Sequence, residues 1–71
     1  MYAIFESSMG PGLRKVEAFG EFASIDDAVL MLRDLPSRIR FWDRDDDNDA
    51  ADVLMANGSI YAIQKPNHAT A

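Results

Sequence analysis

Alternating apolar and polar residues predict two strands at the start of the chain. Residues 2–7 are rich in aromatic and β-branched side chains, which favour a strand. Residues 15–22 form the second predicted strand, whose apolar side chains share one face: Val16, Ala18 and Phe22. The run Gly10-Pro11-Gly12 lies between them and is typical of a turn. The two strands are therefore expected to form a hairpin.

The middle of the chain carries a helix signal. Ser24 is a favourable N-cap residue, and Asp27 follows three positions later, close to the capping-box pattern. Apolar residues then recur with helical spacing on one face: Ile25, Ala28, Val29 and Leu32. Pro36 cannot continue a helix, so the predicted helix covers residues 25–34.

Residues 38–43 alternate in polarity and predict a half-buried strand. Ile39 and Phe41 are expected on one face of this strand. The side chains expected on the other face are Arg38, Arg40 and Trp42.

Two interpretations compete for residues 49–64. Asn57-Gly58 lies between apolar runs at 53–55 and 60–63, which indicates a β-hairpin because both turn residues tolerate positive φ. The alternative is a short helix over 49–56, capped by Asn48. The hairpin is the favoured interpretation.

Together these elements predict an α+β domain in the order strand-strand-helix-strand-strand-strand. One amphipathic helix is expected to pack on one face of a small antiparallel sheet. Residues 1–66 are expected to form the single domain, and 67–71 a flexible tail. The 71 residues include no cysteine and no apolar run near the roughly 20 residues of a membrane helix. A cytoplasmic protein without membrane attachment is therefore expected.

The charge is concentrated in residues 43–52, which we call the acidic segment. It is expected to be a loop, and it contains six aspartates: Asp43, Asp45, Asp46, Asp47, Asp49 and Asp52. With Arg44 its net charge is −5, the charge of the whole chain, because the remaining residues carry six acids and six bases. Such a cluster favours cationic partners and disfavours nucleic acid and anionic membranes.

The same aspartates are also candidates for metal binding and catalysis. Asp43-x-Asp45-x-Asp47 matches the opening of an EF-hand loop, but Asn48 stands where that loop needs glycine and Leu54 where it needs glutamate. Neither a phosphate-binding loop nor a nucleophile with an adjacent base is recognisable. We therefore predict no enzyme activity, no cofactor and no specific metal site. A small divalent-metal-binding or regulatory domain is kept as an alternative.

Protein binding is the function that suits the acidic segment best. The six aspartates are its predicted contact residues, with Trp42 as an anchor because tryptophan is enriched at binding hot spots. Trp42 could equally be a core residue. An extended path would space the carboxylates about 5.5 Å apart, roughly three times more sparsely than the charges of duplex DNA. A folded-back path or a second copy in a homodimer would raise the density.

The expected partner is a basic protein surface, of the kind found in nucleic-acid-binding complexes. Arginines at 38, 40 and 44 alternate with Trp42 and favour direct nucleic-acid binding when taken alone. The sequence pI of about 4.5 argues against that interpretation. No direct contact with nucleic acid is therefore expected.

A short, cysteine-free, acidic single-domain chain without an enzyme motif resembles the phage-encoded inhibitors of bacterial defence, the anti-CRISPR and anti-restriction DNA mimics. Those proteins have size and acidity in common rather than a motif, so the resemblance assigns no residue. It implies a non-enzymatic inhibitor that docks residues 43–52 on the nucleic-acid-binding surface of a partner. An accessory bacterial domain with incidental acidity is the further alternative.

Overall fold

The computed structural model describes residues 1–7 and 12–66. Its strands are β1 (Tyr2–Ser7), β2 (Leu13–Lys15), β3 (Glu21–Phe22), β4 (Ile39–Asp45), β5 (Ala50–Met55) and β6 (Ile60–Gln64). Helix α1 spans Ile25–Arg33, and a 3-10 helix spans Glu17–Phe19. The predicted α+β class is confirmed. The predicted tail over 67–71 and residues 10 and 11 of the first predicted turn lie outside the described residues.

The strands form one antiparallel sheet in the order β2-β1-β6-β5-β4, and β3 pairs with β1 beyond the end of β2. The first and last strands are therefore neighbours at the centre of the sheet. Ile4 lies opposite Ile63 in their ladder, and both side chains are completely buried. Central strands covered on one face need apolar residues at alternate positions, which both strands supply.

Helix α1 forms where the sequence predicts it. The Ser24 side chain caps the helix by accepting a hydrogen bond from the backbone N–H of Asp27 at 3.1 Å. The apolar stripe faces the sheet and is buried: Ile25, Ala28, Val29 and Leu32. Asp26 in the first turn and Arg33 in the last suit the two ends of the helix dipole.

The main core lies between α1 and one face of the sheet, which we call the helix face. Its buried strand residues are Ile4, Ala51, Val53, Met55, Tyr61 and Ile63. The opposite face, which we call the outer face, carries a separate cluster of three buried residues: Ala3, Phe5 and Ala62. The helix thus completes only one side of the sheet.

The predicted strand over residues 15–22 is wrong in its middle. The chain leaves the sheet after Val16, whose N–H bonds the Ile4 carbonyl at 2.9 Å, and makes one 3-10 turn. Gly20, at φ 77° and ψ −157°, returns it to β1 in a conformation that favours glycine. Ala18 is exposed, whereas Phe19 packs edge-on against Tyr61 with ring centroids 5.8 Å apart. The 3-10 turn therefore interrupts the strand pairing with β1 and places the Phe19 ring against the core.

The predicted faces of residues 38–43 are also wrong. Ile39 pairs with Met55 but Phe41 pairs with Leu54, so β4 uses two residues where β5 uses one. This bulge at Arg40 reverses the alternation beyond it. Ile39 and Trp42 consequently pack on the core, and Phe41 is 64% exposed on the outer face.

The hairpin predicted around Asn57-Gly58 is confirmed, and the alternative helix over 49–56 is wrong. β5 and β6 pair with Leu54 opposite Ile60. Only Gly58 of the two turn residues has a positive φ, at 92°. Asn57 instead accepts a hydrogen bond from the Ser59 N–H at 2.9 Å, an Asx turn.

Two leucines on α1 provide a test of the packing. Leu32 is completely buried and Leu30 is 57% exposed. We expect Leu32→Ala to lower the free energy of unfolding by about 2–5 kcal/mol, because it leaves a cavity in the core. Leu30→Ala should change it by less than about 0.5 kcal/mol. Urea unfolding of both variants measures the difference, and equal effects would contradict the packing.

Candidate functional site

The acidic segment forms the end of the β4–β5 hairpin rather than the expected loop. Asp43 to Asp45 belong to β4, residues 46–49 form the turn, and Asp52 lies in β5. The hairpin is the folded-back path that raises the charge density. The strand carboxylates of Asp43, Asp45 and Asp52 consequently share one face of the hairpin, and the other three aspartates lie in the turn.

Local hydrogen bonds define the turn. The Asp45 carboxylate accepts from the Asn48 backbone N–H at 3.4 Å and from the Asn48 side-chain amide at 2.6 Å. Asp49 adopts the left-handed conformation with φ 53°, which aspartate tolerates better than most residues. Its N–H bonds the Asp46 carbonyl at 3.4 Å. Side-chain bonding of this kind explains why Asp and Asn are frequent in turns.

Asp49 anchors the turn to the centre of the sheet. Its carboxylate accepts a hydrogen bond from the Tyr2 hydroxyl at 2.7 Å and pairs with the Lys65 ammonium at 3.0 Å. The hydrogen bond to Asp49 raises the pKa of the Tyr2 hydroxyl and is also the main cause of a raised pKa at Lys65. Asp49 is therefore engaged within the chain. Sequence analysis missed Tyr2 and Lys65, which lie far from Asp49 along the chain.

Arg44 connects the hairpin to the helix. It lies on the helix face, where its guanidinium contacts the Asp26 carboxylate at 2.7 Å. The same group lies 6.0 Å from the centre of the Trp42 ring. Trp42 itself is half-buried against the core, on the face opposite Asp43 and Asp52. Its predicted role in partner contact stays a prediction, while the packing favours a structural role.

Five aspartates of the acidic segment form no ion pair with any described residue: Asp43, Asp45, Asp46, Asp47 and Asp52. Asp43 lies directly opposite Asp52 in the ladder, on the outer face. Like charges in that position repel, and a cross-strand pair of this type destabilises a sheet. Asp45 lies two residues from Asp43 on the same face. The β4–β5 strand pair thus carries negative charge that no ion pair within the described residues compensates.

A cleft of about 240 Å³ separates the start of α1 from the turn. Its lining includes three carboxylates, from Asp26, Asp46 and Asp49, together with Arg44. Among the described residues, no buried side-chain nitrogen or oxygen lacks a hydrogen-bond partner. The cleft therefore contributes surface charge to this end of the molecule.

The EF-hand alternative places its aspartates poorly. Asp43 and Asp45 lie in an extended strand, whereas an EF-hand loop curls its first ligands around one point. Within residues 1–7 and 12–66, no group of three or more potential metal ligands is assembled. The EF-hand-like spacing of Asp43, Asp45 and Asp47 in the sequence therefore does not bring their carboxylates around one point.

Comparison with known proteins identifies no relative: no family model, curated protein or solved structure matches the chain. In the part of the chain that the structure describes, no helix is long and apolar enough to cross a membrane. The geometry of the acidic segment is therefore the basis for assigning a function.

Charge repulsion across the hairpin should be measurable. We expect Asp52→Asn to stabilise the protein by about 0.2–1 kcal/mol, because it removes the charge opposite Asp43. Asp43→Asn should do the same, and the double variant should gain little more, since either change removes the pair. The parent's melting temperature should rise between low salt and about 0.5 M sodium chloride, and less so in the variants. Additive gains in a thermal-unfolding cycle would contradict a direct Asp43–Asp52 interaction.

The anchor at Asp49 predicts a loss of stability at alkaline pH. Folding raises the pKa of both Tyr2 and Lys65, so their contribution is complete below the unfolded values and is lost as pH rises through the folded ones. Parent and Tyr2→Phe should therefore differ most at neutral pH. Urea unfolding should show the difference shrinking above about pH 10. A difference that stays constant to pH 11 would show that the hydrogen bond to Asp49 is not its cause.

Proposed function

We propose that this protein is a non-enzymatic binding module that docks its acidic segment on a basic, nucleic-acid-binding surface of a partner complex. It inhibits the partner by competing with nucleic acid for that surface. The observation that carries the proposal is the set of aspartates that form no ion pair with any described residue, with Asp43 and Asp52 opposed in one ladder. A repulsive arrangement of this kind becomes favourable once a cationic surface covers it.

The spacing of the charges supports the proposal. We call the folded-back acidic segment, residues 43–52, the arm. It places five carboxylates along a length of about five residues, or roughly 15 Å, which is about 3 Å per charge. Duplex DNA carries one charge per about 1.7 Å of axis. The folded-back segment therefore approaches the density of a duplex more closely than an extended loop would.

Contacts between the acidic segment and the rest of the domain also support the proposal. Arg44 pairs with Asp26 on α1, and Asp49 is held by Tyr2 and Lys65. These contacts hold the acidic segment at Arg44 in β4 and at Asp49 in the turn, so less ordering entropy is lost when a partner binds. We place the protein in the cytoplasm, in the class of phage-encoded inhibitors that its size and acidity resemble.

Neutralising the arm tests the proposal. The variant Asp43→Asn/Asp46→Asn/Asp47→Asn/Asp52→Asn removes four unpaired charges and keeps Asp49. A control with the same net charge is Glu6→Gln/Glu17→Gln/Asp27→Asn/Asp34→Asn. The partner is first identified by affinity capture from host extract and then purified. We expect the arm variant to bind it at least about tenfold more weakly and the control to change little.

Two further measurements complete this experiment. The parent's affinity for the partner should fall steeply with salt, and nucleic acid should compete for the same site. The arm variant should melt at an equal or higher temperature than the parent, so that lost binding cannot be attributed to unfolding. If it binds and inhibits as well as the parent, the acidic segment is only a solvated surface and the proposal fails.

A further inference from the structure

The outer face of the sheet carries a row of residues across all five strands of the main path, which we call the apolar row because every member except Ser7 of β1 is apolar. The strand registers place one residue from each strand in this row: Leu13, Ser7, Ile60, Leu54 and Phe41. Leu13, Ile60 and Phe41 are 44%, 46% and 64% exposed. With strands about 4.8 Å apart, the row is roughly 19 Å long. Adjoining exposed apolar side chains on a small protein often mark an interaction site.

Carboxylates that form no ion pair with any described residue border one end of this row. Asp43 follows Phe41 by two residues in β4, and Asp52 precedes Leu54 by two in β5. Residues two apart in a strand share a face and lie about 7 Å from each other. Phe41 and Leu54 therefore stand beside the opposed Asp43–Asp52 pair on one continuous surface. The bulge at Arg40 produces this combination, because regular alternation would put Phe41 on the helix face.

We propose that this outer face binds a basic amphipathic polypeptide segment of the partner. Its apolar side chains cover the row that ends at Phe41, and its Lys or Arg side chains pair with Asp43 and Asp52. The inference rests on the proposed function and adds to it the chemistry of the partner's contact segment. It also makes Phe41 the apolar anchor of the interface, on the same face as the acids.

Charge distinguishes this occupant from a second copy of the chain. The register positions of the outer face include one base, Lys15, and four acids: Glu21, Asp43, Asp45 and Asp52. Packing two such faces together would bring eight acids and two lysines into one interface, and like charges buried together oppose association. Each Lys15 already pairs with its own Glu21 at 3.1 Å. A cationic segment instead neutralises the face that it covers.

Two synthetic peptides test the inference directly. The first is a fluorescein-labelled 14-residue peptide of leucine and lysine, spaced to form one apolar and one basic face. The second has every leucine replaced by glutamine and the same charge. We expect the parent to bind the first at least tenfold more tightly in fluorescence anisotropy, because only the first can cover the apolar row. Equal affinities would overturn the inference.

Matched variants locate the binding surface. Phe41→Ser should weaken binding of the leucine–lysine peptide at least tenfold, whereas Leu30→Ser, on an exposed helix position, should change it less than twofold. Asp43→Asn/Asp52→Asn should weaken binding and make it less dependent on salt. Melting curves confirm that each variant is folded. If Leu30→Ser weakens binding as much as Phe41→Ser does, the outer face is not the site and the inference fails.

The remaining outcomes separate this inference from the proposed function. If Phe41→Ser leaves affinity for the captured partner unchanged while neutralising the arm abolishes it, the function stands and the apolar row is not its contact. If neither change affects that affinity, both fail. Sedimentation of the parent at about 0.5 M sodium chloride tests the other occupant. A dimer that Phe41→Ser dissociates would overturn the inference in favour of a second copy.

Discussion

The pairing of β1 with β6 is the contact on which the other elements depend. It joins the two ends of the described chain, and the ladder from Ala3–Gln64 to Ser7–Ile60 forms the centre of the sheet. Bringing β1 and β6 together closes a long loop and lowers the entropy of the chain, and contacts between residues near in sequence do not compensate for that loss. The compensation comes from burial of Ile4 and Ile63 beneath α1. Without this pairing, the apolar stripe of the helix lacks the two central strands that form much of its packing surface.

The sequence predicts the elements whose causes are local. Ser24 and the apolar stripe of α1 lie within nine residues of each other, and Asn57-Gly58 is itself the turn of its hairpin. Two of the errors, the strand over 15–22 and the faces of 38–43, have causes that a sequence pattern does not contain. A strand pattern over 15–22 gives no sign that a 3-10 turn will place Phe19 against Tyr61. The bulge at Arg40 arises from how β4 and β5 fit together, so alternation alone assigns Phe41 to the wrong face.

The sequence identifies the candidate site as a cluster of charges, but it does not give their arrangement in space. Composition identifies all six aspartates, yet it treats Asp49 like the others. Only the fold brings Tyr2 and Lys65 to Asp49, because those residues come from opposite ends of the chain. Folding therefore divides one acidic run into an anchor that holds the turn and a group of carboxylates left free of ion pairs within the described chain.

The position of β4 at the edge of the sheet has a consequence for how the protein behaves at high concentration. Among the described residues, one side of this strand has backbone N–H and C=O groups with no neighbouring strand, and such an edge can pair with another chain. Two features oppose pairing of this edge with another chain. They are the bulge at Arg40 and the alternating charges of Asp43, Arg44 and Asp45. The same aspartates thus protect the molecule from polymerising with itself. A variant in which Asp43 and Asp45 are neutralised would lose part of that protection.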